Sequence, residues 1–95
     1  MARILIIDDE PQIRSMLRLM LERVGYEVME AADGMEGIRQ YRDNPADVII
    51  TDLIMPNKDG IGMIIELKKE FPQIKIIAMS GGGVNRPEGY LDGAK

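Results

Sequence analysis

Short apolar runs alternate with helical stripes along the whole sequence, and this alternation restricts the chain to a small group of folds. Four runs rich in β-branched residues have the length of buried strands, at residues 3–7, 26–31, 47–51 and 75–79. Between and after these runs, apolar residues recur at helical spacing. Four strand–helix repeats predict an α/β domain, with a parallel sheet, right-handed crossovers and helices on both sheet faces.

The predicted helices have recognisable ends. Pro11 suits the first turn of the first helix, and Gly25 suits its end. Asp33 and Glu36 form a capping box for the second helix. A fourth helix is predicted over residues 87–95. The residues sharing the apolar stripes are Ile13, Met16, Leu17, Met20, Leu21 and Val24 in the first helix, Met35, Ile38 and Tyr41 in the second, and Ile61, Ile64 and Ile65, with Lys68, in the third.

Composition narrows the chemistry available to this domain. With 95 residues, the chain forms one domain, spanning 1–95. The net charge of -4 argues against nucleic-acid binding, because no basic excess is present to neutralise phosphates. The absence of cysteine and histidine excludes disulfides, Ser-His-Asp triads and ordinary zinc sites. No apolar run is long enough for a membrane span or a signal peptide, so we expect a cytoplasmic protein.

Polar groups follow three of the predicted strands. Asp8 and Asp9 follow the first, Asp52 follows the third and Ser80 follows the fourth. The carboxyl ends of parallel strands lie at one edge of a sheet, so these groups should converge there. Carboxylates held close together require a compensating cation, and a set of oxygen ligands favours Mg²⁺. A carboxylate can also attack phosphorus to form an acyl phosphate.

At these residues the chain resembles the response-regulator receiver domains of two-component signalling, the chemotaxis-regulator-like family. The resemblance extends from residue 3 to about residue 80. Each motif is modest alone, but their order and spacing together are highly specific. The matching segments are residues 4–11 (ILIIDDEP), 32–34 (ADG), 47–52 (DVIITD), 55–56 (MP), 59–60 (DG) and 76–80 (IIAMS).

The resemblance implies a role for each matching residue. Asp52 corresponds to the phosphoacceptor aspartate. Asp9 corresponds to a direct Mg²⁺ ligand, and Asp8 to a carboxylate acting largely through water. The backbone carbonyl of Ile54 corresponds to the third protein ligand of the metal. Ser80 corresponds to the switch hydroxyl that turns toward the phosphoryl group.

The resemblance also implies a fold and a function. The expected fold is a flavodoxin-like, doubly wound parallel sheet with strand order 2-1-3-4. The expected function is to accept a phosphoryl group from a histidine kinase or a phosphotransfer protein, with Mg²⁺, and to signal by conformational change. Such a domain performs phosphoryl chemistry only on itself and is not an enzyme in the usual sense. No nucleic-acid or membrane partner is expected for this chain.

The sequence departs from the family after the fourth strand. Family members have a fifth strand, a fifth helix and a lysine that contacts the phosphoryl oxygen, and Lys95 does not match that lysine. We therefore expect a C-terminally truncated receiver, whether a C-terminal part was removed or never encoded. An open sheet edge invites pairing with another chain. The alternative function is accordingly that of a signalling-defective structural module that forms a homodimer or a domain-swapped dimer.

A phosphatase is the other class that uses an aspartate in this way. Aspartate-dependent phosphatases carry an Asp-x-Asp pair, in which the second carboxylate acts as the acid. Here Asp52 is followed two residues later by Ile54. That substitution counts against turnover of external phosphomonoesters.

Overall fold

The computed structural model describes residues 2–53 and 60–79. Within them, strands and helices alternate strictly along the chain. The strands are β1 (Arg3–Ile7), β2 (Glu27–Ala31), β3 (Val48–Asp52) and β4 (Ile76–Met79), and the helices are α1 (Pro11–Arg23), α2 (Gly34–Asp43) and α3 (Gly60–Glu70). The predicted boundaries are correct to within one residue for every strand.

The strands form one parallel sheet in the order β2-β1-β3-β4, which confirms the predicted order. Ile7 of β1 pairs with Ala31 of β2 on one side and with Thr51 of β3 on the other. The carboxyl ends of these three strands are therefore level. No fifth strand or fifth helix occurs within residues 2–53 and 60–79. The predicted fourth helix, at residues 87–95, lies outside the described residues.

The helices cover both faces of the sheet, as predicted. Alternate residues of a strand point to opposite faces, so each strand contributes to two clusters. Leu5, Ile7 and Ile49 pack on one face against α2 and α3. Ile4 and Ile6 pack on the other face against α1. The helix residues in the first cluster are Ile38, Tyr41, Met63 and Leu67, and those in the second are Leu17 and Leu21.

The predicted stripe of α1 was too wide. None of its residues is buried, although Leu17 and Leu21 pack against the sheet. Met16 is 50% exposed, Met20 57% and Val24 70%. The two methionines therefore lie on the apolar stripe of α1 without being core residues. A single helix on this face presents only part of its apolar surface to the strands beneath it.

The predicted faces of α3 and α2 were both partly wrong, although Ile64 of α3 packs against the core as expected. Ile61 and Ile65 are more than half exposed, whereas Met63 and Leu67 are fully buried. Apolar residues surround the first turns of α3, so periodicity alone does not identify the buried side. In α2, Ile38 is buried as expected, but Met35 is 62% exposed.

The predicted helix ends are confirmed. Pro11 is the first residue of α1, and Gly25 follows its end with a φ of +98°, a left-handed conformation that favours glycine. At α2, the Asp33 carboxylate accepts a hydrogen bond from the Glu36 backbone N–H at 2.9 Å. The Glu36 carboxylate in turn accepts from the Ala32 N–H at 2.8 Å, one residue before the cap. These bonds fix the path of the chain from β2 into α2.

Among residues 2–53 and 60–79, no helix combines the length and the apolar character that a membrane crossing requires.

Candidate metal centre

Three carboxylates meet at the carboxyl edge of the sheet. Asp8 directly follows β1, and Asp52 is the last residue of β3. Because Ile7 pairs with Thr51, the next residue of each strand is brought to the same level. One carboxylate oxygen from each of Asp8, Asp9 and Asp52 lies within 4.8 Å of the others. The convergence expected from the sequence is therefore present for these three residues.

The carboxylates differ in their exposure to solvent. Asp8 is only 4% exposed and Asp52 only 7%, whereas Asp9 is exposed. Thr51, immediately before Asp52, is fully buried, and its hydroxyl donates a hydrogen bond to the Asp52 carbonyl at 2.9 Å. The site thus has two carboxylates set into the sheet edge and one at the surface.

Asp8 is held in place from two sides. Its backbone N–H donates to the Ala31 carbonyl at 3.1 Å, which joins β1 to β2 beyond the paired residues. Its carboxylate accepts a hydrogen bond from the Glu10 N–H at 2.9 Å. This second bond folds the Asp8–Glu10 segment into a tight turn that leads into α1.

Burial raises the pKa of Asp8 above its ordinary value, and the negative charges of Asp52 and Asp9 raise it further. The hydrogen bond from the Glu10 N–H acts in the opposite direction, because it stabilises the ionised carboxylate. The net shift is upward. An ionised Asp8 is therefore less favourable in the folded protein than in the unfolded chain, and a bound cation would reverse that penalty.

The far side of the site is formed by the ends of β3 and β4 and the start of α3. The Leu53 N–H donates to the Met79 carbonyl at 2.9 Å, which extends the β3–β4 pairing by one residue. The Gly60 N–H donates to the Leu53 carbonyl at 2.8 Å. These two bonds fix both backbone groups of Leu53, the residue directly after Asp52. Two of the predicted site residues, Ile54 and Ser80, lie outside the described residues.

Side chains that the sequence analysis did not single out lie beside the acidic residues. Arg14 of α1 donates hydrogen bonds to the Asp8 carbonyl and to the carboxylate of Glu30 in β2. The helical spacing places Arg14 next to the buried side of α1. Only the three-dimensional arrangement, however, reveals which acceptors it reaches.

The donor set fits Mg²⁺. All three side chains offer oxygen, which is the ligand type that this ion prefers. With metal–oxygen bonds of 2.0–2.1 Å, oxygens on opposite sides of an octahedral ion lie about 4.2 Å apart. Only one of the three pairs can be opposite in this way, and adjacent oxygens lie about 2.9 Å apart, so the three carboxylates, within 4.8 Å of one another, must draw closer to bind the ion. Three protein oxygens would also leave positions for water or for a phosphoryl oxygen.

Comparison with known proteins agrees with this description of the fold. The family model described as "Response regulator receiver domain" matches residues 4–88. The transcriptional regulatory protein SrrA of Staphylococcus aureus is 40% identical over 93 residues, which cover 96% of this chain. The chain spans only 33% to 38% of the length of curated relatives that it matches.

Solved structures show the same fold. The response regulator TrrA of Thermotoga maritima, in complex with Mg²⁺ and BeF, is 34% identical with a TM-score of 0.83. That match covers 92% of this chain and 76% of TrrA. TrrA in complex with the histidine kinase ThkA is 36% identical with a TM-score of 0.81, covering 85% of this chain and 70% of the other.

Proposed function

Because the chain belongs to the response-regulator receiver domains, we propose that it accepts a phosphoryl group on Asp52 and passes on the signal by a change of conformation. The donor is a phosphohistidine of a histidine kinase or a phosphotransfer protein, and the reaction requires Mg²⁺. One observation carries this proposal: the carboxylates of Asp8 and Asp9 converge on Asp52 at the carboxyl edge of the sheet.

In the proposed reaction, a carboxylate oxygen of Asp52 attacks the phosphorus of the phosphohistidine. The new P–O bond forms as the P–N bond breaks, and the imidazole leaves with the bonding electron pair and takes up a proton. Asp8 and Asp9, together with Asp52, hold Mg²⁺, which when bound neutralises charge on the transferred phosphoryl group. The strand pairing of Thr51 and Asp52 and the hydrogen bonds of Leu53 hold the backbone that carries the Asp52 carboxylate in position for attack.

The proposal assigns no turnover of external substrates. The phosphoryl group stays on the protein until water removes it, so the chain acts as a phosphoacceptor and not as an enzyme in the usual sense. Ile54, where a phosphatase of the Asp-x-Asp type has its acid, supports this distinction. Ser80 is assigned the switch hydroxyl, and the Ile54 carbonyl the third metal ligand, on the family resemblance alone.

The partner assignment follows from the same comparisons. TrrA, a structural relative, forms a complex with the histidine kinase ThkA. We infer that this chain likewise meets a histidine kinase, and that it does so in the cytoplasm, where such kinases hold their phosphohistidine.

Incubation with acetyl phosphate and Mg²⁺, followed by intact mass measurement, tests the proposal. We expect one phosphoryl adduct per chain that is lost at alkaline pH, as acyl phosphates are. The adduct should not form in the presence of EDTA. Absence of an adduct with Mg²⁺ present would contradict the proposed function, and steady release of phosphate from an unrelated phosphomonoester would favour a phosphatase instead.

Replacing Asp8 by asparagine should make the metal-free protein more stable. The pKa of Asp8 is raised, so its ionised form destabilises the fold at neutral pH, and a neutral isostere removes that penalty. Asparagine retains an oxygen to accept the Glu10 N–H. In EDTA at pH 7 we expect a rise in Tm of several degrees, measured by circular dichroism.

Two controls accompany the Asp8→Asn measurement. The gain should disappear as the pH falls from the raised pKa of Asp8 in the folded protein to its ordinary value in the unfolded chain, because below both the wild-type carboxyl is neutral in either state. With excess Mg²⁺ the order should reverse, since the variant has lost a ligand. A lower Tm for the variant in EDTA would contradict the assigned burial and repulsion.

A second candidate function is self-association, in which the domain acts as a structural module. Within the described residues β4 pairs with β3 alone. Ile77 pairs with Ile50, which faces α1, so both point to the α1 side of the sheet. Ile77 is 55% exposed there, and Met16 and Met20 of α1 are exposed on the same side. Exposed apolar surface of this kind favours burial against a second copy.

Size-exclusion chromatography with light scattering tests this second candidate. We expect a concentration-dependent dimer for the wild type and a monomer for Ile77→Lys. Gln73→Lys adds the same charge at an exposed position beyond α3 and should leave the dimer intact. A wild type that remains monomeric at high micromolar concentration would remove self-association from consideration and would leave the phosphoacceptor proposal unaffected.

A further inference from the structure

The guanidinium group of Arg14 connects three parts of the molecule beside the acidic site. Its Nη1 donates to the backbone carbonyl of Asp8 at 2.7 Å. Its Nε donates to Glu30 Oε1 at 3.1 Å. The Arg14 side chain is only 17% exposed and that of Glu30 25%, so both bonds are partly shielded from water. One side chain of α1 thus holds the end of β1 and is itself oriented by β2.

The carbonyl that Arg14 holds belongs to the peptide group between Asp8 and Asp9. A peptide group is planar, so fixing its oxygen fixes the orientation of the whole plane. The Cα atoms of both residues lie in that plane, and the directions of both carboxylates depend on it. The N–H and the carboxylate of Asp8 bond to Ala31 and Glu10, and Arg14 supplies the remaining restraint.

We propose that Arg14 is a positioning residue for the metal centre: it orients the Asp8–Asp9 peptide so that both carboxylates face Asp52, and Glu30 orients Arg14. The inference rests on the proposed function, because it concerns the affinity of that centre for Mg²⁺. Groups that orient metal ligands in this way typically contribute 10–100-fold to affinity.

Glu30 keeps the arginine in place and offsets its charge. Hydrogen bonds from Arg18 and, to a smaller extent, from Arg14 hold the pKa of Glu30 below its ordinary value, so it is ionised at neutral pH. Arg14 therefore lies beside the acidic site with part of its positive charge offset by Glu30. Its remaining positive charge can only oppose a nearby cation.

Because the charge of Arg14 repels a cation, the direction in which Mg²⁺ affinity changes when Arg14 is removed distinguishes two roles for this residue. If Arg14 acted by charge alone, its removal would strengthen Mg²⁺ binding, since one repelling cation is lost. If Arg14 acts by orienting the Asp8–Asp9 peptide, its removal weakens binding. A weaker affinity in a variant without the charge thus has no simple electrostatic explanation.

Arg18 provides a matched control on the same helix. It also pairs with Glu30, but its other hydrogen bonds go to Glu22 and, at 3.2 Å, to the Val28 carbonyl of β2. Loss of either arginine removes one link between α1 and β2. Of the two arginines, Arg14 alone hydrogen-bonds to the acidic turn, the Asp8–Glu10 segment. If each arginine only linked α1 to β2, replacing either one would change Mg²⁺ affinity by a similar amount.

The experiment is a Mg²⁺ titration of the full chain by isothermal calorimetry, with amide NMR spectra recorded without metal. For Arg14→Gln we expect Kd for Mg²⁺ to rise by at least about 10-fold, and for Arg18→Gln to stay within about two-fold of wild type. Arg14→Lys keeps the charge but cannot bond two acceptors as a planar fork does, so its Kd should lie between those of the wild type and Arg14→Gln.

The metal-free spectra report on positioning without any ion. The amides of Asp9, Glu10 and Asp52 should shift in Arg14→Gln and stay in place in Arg18→Gln. Unchanged or tighter Mg²⁺ binding by Arg14→Gln would overturn the inference. If Arg14→Gln fails to fold, a wild-type Kd for Arg14→Lys would overturn it. A wild type that binds no Mg²⁺ would overturn the proposed function, while the metal-free spectra would still decide whether Arg14 orients the acidic turn.

Discussion

Replacing Asp52 by asparagine is expected to abolish the phosphoryl adduct completely. The amide has no anionic oxygen with which to attack phosphorus, whereas its shape matches that of the carboxylate. Asp52 is 7% exposed at the end of β3, and an isostere keeps the packing of that strand end. Intact mass after treatment with acetyl phosphate and Mg²⁺ should show one adduct on the wild type and none on the variant.

The control for this experiment is a matched substitution away from the site. Asp43→Asn makes the same chemical change at an exposed position at the end of α2, and it should leave the adduct unchanged. In EDTA the Asp52→Asn variant should be at least as stable to unfolding as the wild type, because one of three crowded carboxylates is neutralised. If as large a fraction of Asp52→Asn as of the wild type carried the phosphoryl adduct, another residue would be the acceptor.

Substituting Gly60 by alanine should damage the fold and the site together. A Cβ atom at Gly60 would lie 2.6 Å from the Cα of Leu53, and it would clash more severely with the carbonyl oxygen of Asp52. Both neighbours are backbone atoms, so neither can rotate away. The start of α3 or the end of β3 must move, and Asp52 moves with it. Overpacking of this kind typically costs about 1–3 kcal/mol, and we expect the upper end of that range here.

Urea denaturation measures the stability loss of Gly60→Ala, and calorimetry measures its Mg²⁺ affinity, which should also fall. Gly37→Ala is the matched control, because a Cβ there meets the end of the Ile7 side chain, which can adjust. Gly37 is a buried residue of α2, and the three nearest atoms that a Cβ there would meet all belong to the Ile7 side chain. Its variant should lose less stability and bind Mg²⁺ as the wild type does. Equal losses in the two variants would contradict a specific role for the close approach at Gly60.

The sheet and the acidic cluster could be predicted because they depend on local patterns and on one general rule. Apolar β-branched runs identify strands, and level strand ends bring Asp8 and Asp52 together whatever the details of packing. The capping residue Asp33 acts within four positions along the chain, so it too is visible in the sequence.

The buried helix faces could not be predicted with the same success. In α3, Met63 and Ile65 are equally apolar, and the choice between them depends on how closely Gly60 approaches the end of β3. In α1, the apolar stripe is wider than the surface that the sheet offers it. The contact of Arg14 with the Asp8 carbonyl likewise depends on the position of α1 above the sheet.

The unequal clusters on the two sheet faces have a consequence for how the molecule opens. Amides in β1 and β3, between the buried residues of both clusters, should exchange with solvent only on global unfolding. The helix α1 has no fully buried residue and contacts the sheet mainly through Leu17 and Leu21, so we expect it to detach in a sub-global opening that leaves the rest folded. Because Arg14 links that helix to Asp8, each such opening releases the acidic turn as well. The arrangement of Asp8 and Asp9 that suits a metal ion should therefore last only until α1 detaches, and not until the whole domain unfolds.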